Sequence, residues 1–282
     1  MKQAPTGQPA RYPWGHEAGE LERIISTGRY LGDLTEHVLR LAGIDRGMRV
    51  LDVGSGPGDV TFLAAKLVGL EGTVIGVDKS EEAVGRARER AAAAGLTNVQ
   101  FLAHDLVDLA LDEPVDALIG RLVLQYMTDP VRVLRHLITF VKPGGVVAFQ
   151  ESDMDDGPNS EPVCPVYEAA IQRIKQTFIG IGTDPRIGIK LGRIVQQAGL
   201  PAPQMIRHSR VEHGPNSPLY DLLAQNTRQM LPLMQRTGVA MPEDVGVETL
   251  SERMRAEATA LDATLVASGL VGAWTRKPVT SQ

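Results

Sequence analysis

The sequence has one cysteine, Cys164, so no internal disulfide can form and the stapled frameworks of small secreted domains are excluded. No Cys-His signature accompanies Cys164. It reads as a small buried or loop residue, with a nucleophile as the alternative. Surplus positive charge is also missing: 29 Lys and Arg against 34 Asp and Glu give a net charge of -5, which argues against a nucleic-acid partner. Arg186, Lys190 and Arg193 gather along one helical stretch and read as a solvated face. Long apolar runs are absent. No stretch approaches the roughly 18 residues a membrane-spanning helix needs. The start, MKQAPTGQPARYPWGHE, carries no apolar segment of the secretory kind. The expectation is a cytoplasmic chain in a reducing compartment, with no membrane partner. The spacing of His16, His37, His104, His136, His208 and His213 matches no zinc motif.

What is present is ordinary globular material. Apolar residues at 43% and charged residues at 22% exclude disorder, and 282 residues allow one large core with a modest cap. Residues 1–13 hold three prolines and read as a flexible arm. Short amphipathic helices are predicted at Glu17–Ile25 and Leu34–Leu41. Apolar runs at Met48–Val53, Thr73–Val77, Val99–Ala103, Val115–Ile119 and Gly145–Gln150 then alternate with helical patterns at Asp59–Val68, Glu81–Ala94 and Asp129–Val141. Such alternation predicts a parallel sheet covered on both faces. Beyond Glu151, helices are predicted near 163–179, 187–198, 218–235 and 244–260, with strands near 205–211 and 270–276. That is more helix than the sheet needs, and it suggests a cap. The divisions are an N-terminal arm with lid helices at 1–43, a cofactor-binding core at 44–152, and at 153–282 the completion of the sheet with an inserted helical cap.

The chemistry concentrates at strand ends. Val50-Leu-Asp-Val-Gly-Ser-Gly-Pro-Gly-Asp-Val60 places glycines where a strand turns into a helix, so a ligand can approach the backbone and free N–H groups. The dinucleotide fingerprint beginning at Gly54 or Gly56 needs a further glycine at position 59 or 61, where Asp59 and Thr61 stand instead. An acidic residue at the helix start also opposes a pyrophosphate. Asp52 suits a ligand bearing an ammonium and a sulfonium, with capping as its alternative role. Asp78 ends the second strand, where a carboxylate accepts ribose hydroxyls. His104-Asp105-Leu106 ends the third, where a carboxylate accepts an adenine amino group.

These segments, together with DALIGRLVLQYMTDP and VKPGGVVAFQE, make the sequence resemble the class I S-adenosylmethionine-dependent methyltransferases, in particular the broad bacterial group related to ubiquinone and menaquinone biosynthesis. The resemblance covers roughly residues 49–151. It implies a Rossmann-like, doubly wound, mostly parallel seven-stranded α/β sheet with an antiparallel last strand. The implied cofactor is S-adenosyl-L-methionine, leaving S-adenosyl-L-homocysteine as product. The resemblance also implies roles: Asp52, Gly54, Ser55 and Gly56 hold the methionine part; Asp78 the ribose; Lys79 flanks the adenine; His104, Asp105 and Leu106 surround it. Arg121 offers its backbone carbonyl to the methionine ammonium, Leu122 lies beneath the cofactor, and Tyr30 is a lid contact.

Candidates for the acceptor site are Tyr12 and Trp14 from the arm, Gln125, Tyr126 and Glu151 at strand ends, and Tyr220 and Asn226 from later helices; His16 is the candidate base. For each of these, surface or packing is the competing role. Glu151, Asp153, Asp155 and Asp156 could hold magnesium, but a solvated acidic loop explains them as well, and no metal is expected. The acceptor is read as a small organic molecule, methylated on oxygen, nitrogen or carbon. A nicotinamide-dependent oxidoreductase and a non-catalytic cofactor-binding protein are the alternatives. Oligomeric state is left open, a homodimer included.

Overall fold

The computed structural model describes residues 18–154 and 159–279. Two helices lead, α1 (Ala18–Tyr30) and α2 (Gly32–Ala42). There follow β1 (Arg49–Val53), α3 (Asp59–Val68), β2 (Thr73–Asp78), α4 (Glu81–Ala93), β3 (Val99–Ala103) and β4 (Val115–Arg121), then a 3-10 turn (Leu124–Tyr126), α5 (Pro130–Leu137) and β5 (Val141–Asp153). Polar caps fix two of the helix starts: Ser80 Oγ accepts from Ala83 N at 3.1 Å and Asp129 Oδ1 from Arg132 N at 2.9 Å.

The strand sequences explain the layering. Leu51, Val53, Ile75, Val77, Leu118 and Phe149 point to one face, where α5 and the later helix α7 (Ile187–Gln197) bring Leu134, Leu137, Leu191 and Val195. The alternate residues Val50, Val74, Ala117, Ile119, Val146 and Ala148 meet Leu39 of α2 and Ala64 and Val68 of α3 on the other face. Strands buried on both sides must be apolar throughout, which is why these segments read as continuous runs. Truncating a fully buried residue such as Leu118 to Ala is expected to cost about 2–5 kcal/mol.

The chain after β5 interrupts the sheet twice. One excursion holds β6 (Ser160–Glu161) and α6 (Pro165–Gly180) before α7 and β7 (Gln204–His208). The other holds β8 (Val211–His213), α8 (Leu219–Thr237), α9 (Pro242–Val245), α10 (Leu250–Ala260) and β9 (Thr264–Val266) before β10 (Gly269–Arg276). The main sheet runs β3-β2-β1-β4-β5-β10-β7, with β1 to β5 parallel and β10 antiparallel to both neighbours. The seven strands, mostly parallel, and the antiparallel last strand are as expected.

A three-stranded sheet, β6-β9-β8, ties the two excursions together, with Ser160 opposite Leu265 and Glu212 opposite the same residue from the other side. Tyr167, Tyr220, Met234, Leu250 and Leu265 form the heart of a second apolar core around α6, α8 and α10. This is the helical cap, and α1 packs against it through α8. The sequence reading differs here. The strand expected at 205–211 is two strands, β7 and β8, separated where the chain leaves the main sheet. The helix expected at 244–260 breaks at Gly246 into α9, a 3-10 turn (Val247–Thr249) and α10. Among the described residues no helix is long and apolar enough to cross a membrane.

Candidate active site

The turn after β1 is built to let something come close. Gly54 and Gly56 have φ of 67° and 51°, in the left-handed region that favours glycine. A Cβ on Gly54 would lie 2.4 Å from Val123 Cγ2, so that position admits no side chain. The N–H groups of Gly54 and Ser55 donate to Val77 O at 2.8 and 3.0 Å, anchoring the turn to β2. Asp78 holds it from the other side: its Oδ2 accepts from Gly56 N and its Oδ1 from Ser80 N, both at 2.9 Å. Arg90 of α4 completes the clamp, donating to Pro57 O at 2.6 Å and to both oxygens of Asp59.

A cavity of about 1190 Å³ opens above these strand ends and runs beneath α1 into the cap. Of the residues expected to hold the cofactor, Tyr30, Gly54, Ser55, Gly56, Asp78, Lys79, Asp105, Leu106, Arg121 and Leu122 line it. Leu122 takes a φ of 53°, which turns the chain at the end of β4, and its N–H donates to Gln150 O at 2.8 Å. Two expected residues stand apart. Exposed His104 does not line the cavity; its Nδ1 lies 2.8 Å from Asp105 O. Asp52 is buried behind the turn, its Oδ2 accepting from Thr61 Oγ1 at 2.6 Å.

Asp52, Arg121 and Gln150 stand near the ends of β1, β4 and β5 on the α2–α3 face, where the apolar series gives way to polar groups. Arg121 donates through Nη1 to Thr35 Oγ1 at 3.0 Å, and Thr35 donates in turn to Gln150 Oε1 at 2.8 Å. Arg121 is enclosed by protein yet open to the cavity. Burial lowers its pKa, while Asp59 and Asp52 hold the charge in place. Sequence reasoning gave Arg121 only a backbone role; its guanidinium is also part of the polar network with Thr35 and Gln150. Four buried atoms here have no hydrogen-bond partner: Thr27 Oγ1, Asp52 Oδ1, Ser55 Oγ and Gln150 Nε2. Buried polar groups are normally paired, so such a cluster marks where a polar ligand completes the network. Burial also raises the Asp52 carboxyl to about 7, a cost that a cationic ligand would relieve.

Of the acceptor-site candidates, Gln125, Tyr126 and Asn226 line the cavity. Gln125 Oε1 accepts from Ser152 Oγ at 2.8 Å, and burial raises the Tyr126 phenol above its usual range. Two other candidates are scaffold. Glu151 is fully buried below the wall, its Oε1 accepting from Val123 N and Leu124 N at 2.9 and 2.7 Å, so it holds the 3-10 turn that carries Gln125 and Tyr126. Tyr220 is buried in the cap core and donates to Gly214 O at 3.1 Å. Tyr12, Trp14 and His16 lie outside the described residues.

Asp153 is paired with Arg186 and Arg207 at 2.9 Å each. Among the described residues no group of three acidic, histidine or cysteine side chains is placed to hold a metal. Sequence reasoning missed Arg23, Thr27 and Thr35 on the leading helices, and also Tyr167, Ile171, Ile174 and Phe178. The last four follow the helical period along α6 and line the cavity, a pattern visible in the sequence but equally that of an ordinary core helix.

A sheet of this order with a glycine turn and an acidic residue at each of the first three strand ends is an architecture of nucleoside-binding Rossmann-like folds. A family model described as a methyltransferase domain matches residues 44–197, more than half of the chain, and the chain belongs to that family. The chain is 31% identical over 170 residues to the arsenite methyltransferase of Halobacterium salinarum, covering 57% of this chain and 43% of that one. It is 32% identical over 126 residues to the demethylmenaquinone methyltransferase of Shouchella clausii, covering 44% and 51%. The chain thus spans about half the length of the curated relatives it matches. In fold it is similar to Haemonchus contortus phosphoethanolamine N-methyltransferase 2, solved with phosphomonomethylethanolamine and S-adenosylhomocysteine, with a TM-score of 0.53, 19% identity and coverage of 87% and 52%. The expected membership of a methyltransferase family is borne out.

Proposed function

We propose that this protein moves the methyl group of S-adenosyl-L-methionine to a small organic acceptor in the cytoplasm. The supporting observation is the set of unpartnered buried polar atoms around the glycine turn, those of Thr27 and Ser55 on residues of the cavity wall and those of Asp52 and Gln150 behind it. That donor set fits the cofactor. The Arg121 guanidinium and the Thr27 and Ser55 hydroxyls suit a carboxylate, Asp52 suits an ammonium, and Asp78 and Asp105 suit ribose and adenine. When bound, the cofactor supplies an electrophilic methyl group on a sulfonium.

The chain's own contribution is alignment and exclusion of water, which carry much of the acceleration for an in-line displacement. The α1 helix roofs the cavity. It is tied to the cap where Arg23 Nη1 donates to Asn226 Oδ1 at 3.1 Å and Tyr30 Oη to Glu212 Oε1 at 3.2 Å. The turn fixed by Glu151 sets Gln125 and Tyr126 at the junction between the two halves of the cavity. A base is needed only for an acceptor that enters protonated, and His16 is the candidate from the arm.

The acceptor named for the arsenite relative suits this site poorly. Arsenic(III) is a soft centre that favours thiolates, and the one cysteine, Cys164, is buried away from the cavity with its thiol pKa raised by burial. Calorimetry with S-adenosylhomocysteine and with NADH tests the reading. Binding of the first and not the second is expected; the reverse would replace methyl transfer with redox chemistry.

A further inference from the structure

The cavity is larger than one cofactor requires. Single drug-sized ligands fill pockets of roughly 300–1,000 Å³, and this one measures about 1190 Å³. A cofactor at the strand ends would leave space in the cap for a second ligand. The walls of that remaining half are made by two helices, each presenting one stripe. From α6 come Tyr167, Ile171, Ile174 and Phe178; from α8 come Leu219, Leu222, Leu223 and Met230, with Asn226 between them.

Charge is nearly missing from this half. The Tyr167 hydroxyl donates to Val266 O at 2.9 Å, leaving its ring to line the space. Among the described residues, no cap residue that lines the cavity is charged. The cation that α1 brings to the wall, Arg23, is already matched. Its Nε and Nη2 donate to the two oxygens of buried Glu20 at 2.7 and 2.6 Å. Along the α6 and α8 stripes an ionic acceptor therefore meets no unmatched charge; the other charged residues on this side of the wall, Asp129 and Arg132, sit at the start of α5. Leaving an acceptor's charge among those stripes is costly. Apart from Asn226 on α8 and Ser268 before β10, the polar groups that can hydrogen-bond collect where the two halves meet, at Gln125, Tyr126 and Ser152.

We infer that the acceptor is an uncharged, largely apolar molecule the size of a three- or four-ring metabolite. It lies between α6 and α8 and presents one polar edge at Gln125 and Tyr126. This rests on the methyl-transfer reading and narrows it, because the apolar stripes of α6 and α8 favour an uncharged acceptor over a small ionic one.

The test uses Nile red, a neutral multi-ring dye, with S-adenosylhomocysteine titrated separately by calorimetry. Saturable binding of one dye per chain with blue-shifted emission is expected, without displacement by S-adenosylhomocysteine. Leu222→Lys, at a half-buried position, should weaken dye binding at least about tenfold and leave S-adenosylhomocysteine affinity within about twofold. Phe178→Lys, also half-buried, is the second variant and should behave alike. If S-adenosylhomocysteine binds but the dye does not, or if both variants bind dye as the parent does, the acceptor inference is overturned and methyl transfer stands. If S-adenosylhomocysteine itself fails to bind, the methyl-transfer reading falls, and this inference with it.

Discussion

Asp78→Asn is the sharpest test of the cofactor site. Each carboxylate oxygen of Asp78 accepts one backbone N–H at 2.9 Å, from Gly56 on one side and Ser80 on the other. An asparagine has one carbonyl oxygen, so its NH₂ must face one of those two donors. One charge-assisted hydrogen bond is lost and two N–H groups are set against each other. Such a bond contributes about 1.5–3 kcal/mol when enclosed. Because Asp78 is only half-buried at the cavity wall, the expected stability loss is about 1–2 kcal/mol, or a fall of roughly 2–8 °C in Tm for a chain of this size. Ribose recognition should weaken by a further 1–3 kcal/mol, raising the Kd for S-adenosylhomocysteine by about 5- to 150-fold. Calorimetry at 25 °C and a thermal melt of the same sample read both quantities. A folded variant with a Kd within about twofold of the parent would refute the ribose assignment. An unchanged Tm would refute the anchoring of the glycine turn.

Gly54→Ala and Gly56→Ala should separate folding from binding: the first drives a Cβ into Val123 and should cost stability. The second meets only Ile24 at 3.7 Å, so about 1–2 kcal/mol of backbone strain and a more than tenfold loss of S-adenosylhomocysteine affinity are expected. Equal melts and equal affinities for the two variants would contradict the close-approach argument. Burial lifts the Glu151 carboxyl from its ordinary 4.5 to about 7, so the folded state holds that proton more tightly than the unfolded chain does. Its contribution to stability is therefore full below about pH 4.5 and is lost as pH rises through about 7. Glu151→Gln keeps an acceptor for Val123 and Leu124 and cannot ionise, so denaturant titration should show it gaining about 1–3 kcal/mol on the parent between pH 5 and pH 8. A pH-independent difference would mean that the carboxylate is not desolvated. Hydrogen exchange should show α1 and α8 becoming protected once cofactor and acceptor are both bound, and identical exchange with and without ligands would remove the lid.

The core was legible because its signals are local. β1 lies at Arg49–Val53 and α3 at Asp59–Val68, close to where the sequence pattern indicates, since a buried parallel strand must be apolar on both faces and its helix starts at the turn that follows. The placement of Asp78 and Asp105 on the cavity wall was legible for the same reason: a strand end fixes where a side chain goes. The cap was legible only as surplus helix. Strands of two or three residues, such as β6 and β9, carry no period, and they exist because Ser160 and Leu265 meet across more than a hundred positions of chain.

Acidic residues at strand ends looked alike in sequence, and the tertiary structure divided them. Asp78 lines the cavity, Glu151 turns away to bind the backbone of the 3-10 turn, and Asp153 is held between Arg186 and Arg207. Tyr220 and Asn226 sit on one helix, yet Tyr220 packs into the cap core while Asn226 reaches Arg23. Sequence by itself determined the sheet, the glycine turn and the cavity-facing strand ends, because hydrophobic period and backbone conformation are set by neighbouring residues. Only the tertiary structure decided which polar side chains meet at Arg121 and how apolar the acceptor half is. Those properties depend on α1, α6 and α8 converging from distant parts of the chain, and no local pattern records which face of a helix another helix will cover.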